Sequence, residues 1–234
     1  MSKGEPLRSR LDRANIELAK ELLSVKSSLD VYKLIGLNAS RIGRGQTFFG
    51  HVQRVSHLYV ALGLAKIYER EKRHELCSVP GIYRLAKHVA IQSPSAAMTF
   101  AREYGVESCG KWVQDVDHVL SKQQPLLGKH LQVVDKVRNT RIAHLQQDAP
   151  VGNLPSIAAF EELLAFAVAF HSFVNEAFLS TCSHPILHDG TMSGSLSTVL
   201  KDVGVSNVVR DLTAQSTRGR LRFVLPPRVI EGAG

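Results

Sequence analysis

The chain has 234 residues, 44% of them hydrophobic, and carries 29 Lys and Arg against 21 Asp and Glu, a formal net charge of +8 at pH 7. That length and apolar content can bury a sizeable core in one domain, while no uninterrupted run reaches the roughly 18 apolar residues of a membrane span. The segment Met1-Ser2-Lys3-Gly4-Glu5-Pro6 lacks the apolar stretch of a signal peptide, so the expected location is cytoplasmic. Cys77, Cys109 and Cys182 are widely separated and show no CxxC spacing. They predict small core residues rather than a disulfide framework or a zinc site. The basic balance favours a polyanionic partner, although composition alone equally suits simple solubility.

In chain order, the first predicted element is a long helix from Ser9 to about Leu37, with Asn15, Leu18, Leu22, Val25, Leu29 and Tyr32 at helical spacing. Asn38 to Gln46, with Gly43 and Gly45, reads as a loop. Phe48, Val52, Val55, Tyr59 and Leu62 define a second amphipathic helix to about Lys72, antiparallel to the first. Pro80 opens a short helix to about Ile91. Ser93-Pro94 supplies an N-cap and first-turn proline for another that ends at Gly105. A helix from about Lys111 to Gln123 is predicted to stop at Pro125, where the chain restarts into a further helix. Asp148-Ala149-Pro150-Val151-Gly152-Asn153 breaks that one.

The last strong helix, about Pro155 to Thr181, puts Leu163, Phe166, Ala167, Phe170, Val174 and Ala177 on one face, widened by Phe173 and Phe178. Period-two strand patterns do not occur before residue 180. The fold class is therefore all-α, a bundle of four main helices plus short ones, spanning residues 9–182. From residue 183 to 234 the composition shifts to Gly, Ser and Thr. This predicts a C-terminal extension, partly ordered or mobile, with one short helix over 192–203 and a terminus (219–228) free to dock a partner.

The chemically loaded stretch is Asp135-Lys136-Val137-Arg138-Asn139-Thr140-Arg141-Ile142-Ala143-His144. At about 100° per residue, Leu127, Leu131, Val134, Ile142 and Leu145 form an apolar stripe with Arg138 near its centre and Arg141 at its edge. A guanidinium in such a seam calls for a polar interface, a buried carboxylate or a bound anion. A plain basic helix end, with Arg141 and His144 near the terminal carbonyls, is the bland reading. The trio of arginine, amide and histidine suits phosphodiester chemistry: the guanidinium offers a charged fork to phosphate oxygens, and imidazole moves protons near neutral pH. Six residues of straight helix separate Arg138 and His144 by about 9 Å along the axis and about 240° around it. One phosphate is then reached by both only if the helix frays or a second chain contributes.

Arg138 and His144, with five positions between them that begin at Asn139, and the small-residue step Ala143-His144 resemble the signature of the HEPN superfamily. In that signature an arginine and a polar residue are followed by histidine after a gap of roughly four to six. Together with Phe48-Phe49-Gly50-His51-Val52-Gln53-Arg54-Val55-Ser56 and Ala65-Lys66-Ile67-Tyr68-Glu69-Arg70 on the second helix, the chain is similar to the abortive-infection (AbiU-like) HEPN proteins over about residues 10 to 180. The resemblance implies a homodimer whose motif helices face one another around a composite, metal-independent endoribonuclease site. Arg138 would hold the scissile phosphate, Asn139 would orient it or the histidine, and His144 would transfer protons. Arg141 lies outside the strict signature and would bind phosphate or pair with an acid of the second protomer, such as its copy of Asp135. No cofactor is implied. RNA is the implied partner, with an antitoxin or a nucleotidyltransferase as further partners and no membrane. A non-catalytic HEPN module that binds nucleotide or RNA is the competing class.

Other residues carry less. His51 and His57 fall about 240° apart on their helix and predict polar or core histidines. His184, His188 and Asp189 have metal-ligand spacing only if helical, which Pro185 opposes. Trp112 is expected in the core, and Lys136 in solvent.

Overall fold

The computed structural model describes residues 5–43, 45–70, 77–106, 111–139, 155–181, 186 and 190–209. Helices α1 (Leu7–Asn38), α2 (Gln46–Ile67), α3 (Val79–Ala86), α4 (Pro94–Glu103), α5 (Trp112–Val137), α6 (Ile157–Val174) and α7 (Thr191–Asp202) follow in chain order. No strand occurs among the described residues, so the fold is all-α, in keeping with a HEPN-type helical bundle. The chain divides into two compact units, one of Met1–Val25 with Ala61–His188 and one of Lys26–Val60 with Asp189–Gly234.

The first unit is built on α6, whose Phe160, Leu163, Leu164, Ala167, Phe170 and Val174 are all buried. Leu11, Leu18 and Leu22 of α1 are buried in the same unit, each such side chain contributing about 1.5–3 kcal/mol relative to exposure. Phe100 of α4 stacks on Phe173 at 4.8 Å, and Trp112 of α5 meets Phe178 edge-on at 4.8 Å, so the tryptophan is a packing residue. Glu21 pairs with Lys66 and Val25 lies against Gly63, which makes α1 and α2 antiparallel here. A Cβ at Gly63 would collide with the Val25 side chain, so glycine is what allows this approach.

Side-chain caps set the starts of α3 and α6. Ser78 Oγ accepts from Gly81 N–H and Ser156 Oγ from Ala159 N–H, the capping that satisfies orphan amides. Ser93 behaves differently from its sequence signal. Its hydroxyl lies 2.9 Å from that of Ser95 and caps nothing, while its N–H and that of Gln92 both donate to the Ala177 carbonyl. That carbonyl sits in a π-type extension of α6, Asn175–Leu179, which ends at Ser180 in the left-handed region with φ 55°. Gly105, with φ +66°, closes the turn after α4 as its sequence position predicts.

Pro125 does not break the chain into two helices. It lies inside the continuous α5. Ser121, whose carbonyl the proline deprives of its donor, is exposed, as is Pro125 itself, so the lost bond falls on the solvent side of the helix. The second helix stops at Ile67, short of the expected Lys72, and residue 72 lies outside the described residues. Cys77, expected in the core, is exposed at the entrance to α3. Cys109 and Cys182 lie outside the described residues.

Ile157–Leu179 is the one segment among the described residues long and apolar enough to cross a membrane. Its apolar side chains are the core of the first unit.

In the second unit, Leu34, Ile35, Ile42, Phe49, Leu200 and Val205 form one buried cluster. Asn38 ties the chain together by donating to Leu34 O and Val209 O and accepting from Val209 N–H. Asp30 accepts from Lys26 at 2.6 Å and from Ser193 at 3.1 Å. The sequence leads one to expect an extension from residue 183. The short helix expected over 192–203 is α7, and it shares this core with the ends of α1 and α2. The division between units falls at 188/189. Residues 219–228 lie outside the described residues.

Candidate active site

Helix α5 buries Leu127, Val134 and Val137, with Leu131 half-buried, and its carboxyl end is capped by Arg138. The Arg138 N–H still bonds back to Val134 O and Asp135 O, and the backbone widens into a π-type turn at Arg138 and Asn139. Such turns recur at functional sites. Burial follows Val134 and Val137, so Arg138 falls at the border of the apolar stripe, not at its centre. Its side chain is 36% exposed. Among the described residues the carboxylate paired with Arg138 is not a buried one: Asp135, 52% exposed, lies 3.8 Å from Arg138 Nη2.

Arg138 Nε donates to Asn139 Oδ1 at 3.1 Å. The amide therefore orients the arginine through Nε and leaves the terminal N–H groups as a donor fork. Arg138 lines a cavity of about 720 Å³ together with Arg70, Lys129, Glu69 and Asp135, and with the polar side chains of Ser121, Gln124 and Gln132. Among the described residues, three cations against two carboxylates give the wall a positive excess. Gly128 on the same wall has no atom near the place a Cβ would occupy, so this side is open.

Tyr68 also lines the cavity, but its hydroxyl donates to Leu163 O at 2.6 Å. Burial, and then the charge of Tyr104, hold its pKa well above the ordinary tyrosine value, so the Tyr68 hydroxyl stays protonated. Lys136 is exposed, as its position on the wheel predicts. His51 is exposed, while His57 is buried with its ring 5.2 Å from that of Tyr32. Arg141, His144, Ile142, Leu145 and the 148–153 segment lie outside the described residues, as do His184, Pro185, His188 and Asp189.

The family model HEPN_AbiU2, described as AbiU2, matches residues 9–193. The chain belongs to this family. It is thus a HEPN-type abortive-infection protein, and no curated protein and no solved structure is detectably similar to it. The AbiU2 match covers α1 to α6 and the first turn of α7, with Arg138, Asn139, Arg141 and His144 inside it. Within this AbiU2 chain, sequence reasoning did not single out Arg70, Lys129 and Gln124 as site residues. A basic residue just past a helix, or on a mostly exposed one, has no distinguishing pattern until the fold places it beside Arg138.

Proposed function

We propose that this AbiU2 protein is an endoribonuclease of phage defence or a toxin, acting in the cytoplasm at a composite site formed by two copies of the chain. The observation that supports it is the Arg138 guanidinium, oriented by Asn139 and half-exposed on the wall of a large cavity with a positive excess. A guanidinium fixed through Nε presents its remaining N–H groups as a fork that matches two phosphate oxygens.

In this reading Arg138 holds the scissile phosphate. His144 of one protomer takes the proton of the 2′-hydroxyl as the 2′-oxygen attacks the adjacent phosphorus. The histidine of the other protomer delivers a proton to the departing 5′-oxygen. The P–O5′ bond breaks as the P–O2′ bond forms, leaving a 2′,3′-cyclic phosphate and a 5′-hydroxyl. Arg138, with Arg141 as auxiliary, stabilises the extra negative charge on the phosphorane-like transition state. Only RNA carries the required nucleophile, and the chemistry needs no metal ion.

The second reading is a non-catalytic HEPN module that binds nucleotide or RNA. The same positive cavity favours it, because binding needs Arg138 and Arg70 but not His144. Cleavage of labelled total RNA in EDTA by the wild type and by His144→Ala separates the two. The nuclease reading expects metal-independent cleavage that falls about 10² to 10⁴-fold in the variant. RNA binding without cleavage in either protein favours the module.

A further inference from the structure

A second cavity, of about 540 Å³, adjoins the Arg138 cavity and shares Tyr68, Arg70, Ser121, Gln124 and Leu131 with it. Its character is different. Tyr83, Leu120, Leu127, Pro80 and Phe166 give it an apolar and aromatic wall, and Arg84, Lys87 and Asp117 supply polar groups. An apolar cavity of several hundred Å³ with a few convergent polar groups is the usual form of a small-ligand site.

The polar groups are held in place by one another. Tyr83 hydroxyl bonds Asp117 Oδ1 at 2.8 Å and Val113 O at 3.0 Å. Lys87 Nζ lies 3.0 Å from Asp117 Oδ1 and 4.6 Å from the centre of the Tyr83 ring. Arg70 stands where the two cavities meet, and Gln124, with its amide oxygen turned toward the guanidinium, accepts from it at 3.1 and 3.3 Å. A cation so fixed between a phosphate-binding cavity and an aromatic one matches the alternation of phosphate and base along a single strand.

We propose that the cavity lined by Tyr83, Leu120 and Phe166 is a nucleobase subsite, which takes the base flanking the scissile phosphate while Arg70 holds the phosphate between them. The proposal rests on the nuclease reading of the Arg138 cavity and adds to it a determinant of sequence context. The Asp117 carboxylate, half-exposed in this cavity, is an acceptor for the exocyclic amine of a base.

The test uses the full chain and a fluorescein-labelled RNA hexanucleotide containing all four bases, fully 2′-O-methylated so that it cannot be cleaved. Leu120 is half-buried, and Leu120→Trp fills the cavity. It is expected to raise the Kd roughly 5- to 150-fold, the range for losing one stacked base, without lowering the melting temperature. Arg70→Ala, at an exposed position, is expected to weaken binding in the same direction and gives a second readout should Leu120→Trp fail to fold. Equal affinity in wild type and both variants, or no binding by the wild type, overturns the subsite. Cleavage of unmodified RNA is scored separately. A wild type that binds the probe through Leu120 and Arg70 but cleaves nothing defeats the nuclease reading while upholding the subsite. A nuclease that ignores both substitutions does the reverse.

Discussion

Among the described residues, Arg138 is held by a hydrogen bond to its neighbour Asn139 and by one ion pair. Its ion pair with Asp135 is long and exposed on both sides, and pairs of that kind contribute under about 1 kcal/mol. Arg138→Ala is therefore expected to leave the melting temperature within a few degrees of wild type while cutting RNA cleavage about 10² to 10³-fold, as for loss of a transition-state donor. A stability loss of roughly 3 kcal/mol or more would make it a structural buried pair instead. His171 makes the opposite case, a residue whose role is structural. Its Nε2 lies 3.1 Å from Asn175 Nδ2, and Asn15 Nδ2 donates to Asn175 Oδ1 at 2.7 Å. Burial lowers its pKa to about 4 from 6.5, opposed by an interaction with the Asn15 backbone. Above pH 6.5 both folded and unfolded chains hold it neutral. As pH falls from 6.5 toward 4 the unfolded chain takes up a proton that the folded chain refuses, and stability drops by up to roughly 3 kcal/mol. Urea unfolding at pH 7 and pH 4.5 is expected to show a smaller acid loss in His171→Gln than in wild type, and equal losses would refute this account. At this scale the motif was legible because residue type and spacing alone carry it. The exposure of Arg138 was not, because a helical wheel does not show that Val137 takes the buried position. Nor was the His171 network, whose partner Asn15 is 156 residues away.

The continuous α5 depends on where Pro125 falls. Proline inside a helix costs about 3 kcal/mol or more, through a lost hydrogen bond and a clash with the carbonyl four residues earlier. Here both positions face water, which softens the penalty, and the rigid ring returns about 1 kcal/mol by restricting the unfolded chain. Pro125→Ala is expected to stabilise the protein by about 1 to 2 kcal/mol in urea unfolding, with no loss of helix by circular dichroism. A destabilised variant would show that the proline shapes the cavity wall it lines. The bounds of α1, α6 with its π-type extension, and α7 lie close to their expected ranges, whereas α2 stops five residues early and leaves Phe48, Val55, Tyr59 and Leu62 of its predicted apolar stripe exposed. The miss at Pro125 has a physical reason, since a proline penalty is decided by what solvates the freed carbonyl, and sequence does not report that. The close passage of α1 against α2 likewise hangs on Gly63, a residue with no signal of its own until Val25 is placed beside it.

At the scale of the whole molecule, the helical class and the AbiU2 family follow from patterns spread over most of the chain. The packing of α7 with the ends of α1 and α2 does not, because a Gly- and Ser-rich segment has too weak an apolar pattern to reveal its partner. The central claim concerns chemistry, that a 2′-hydroxyl held near Arg138 attacks the adjacent phosphate. It is tested most directly with a labelled RNA oligonucleotide cut at a mapped position by wild-type protein in EDTA, alongside the same oligonucleotide with a single 2′-deoxy substitution at that nucleotide. The account predicts a 5′-hydroxyl fragment and a 2′,3′-cyclic phosphate from the first, and no cut at that position in the second. Equal cleavage of both, or products with 5′-phosphate ends, would contradict it.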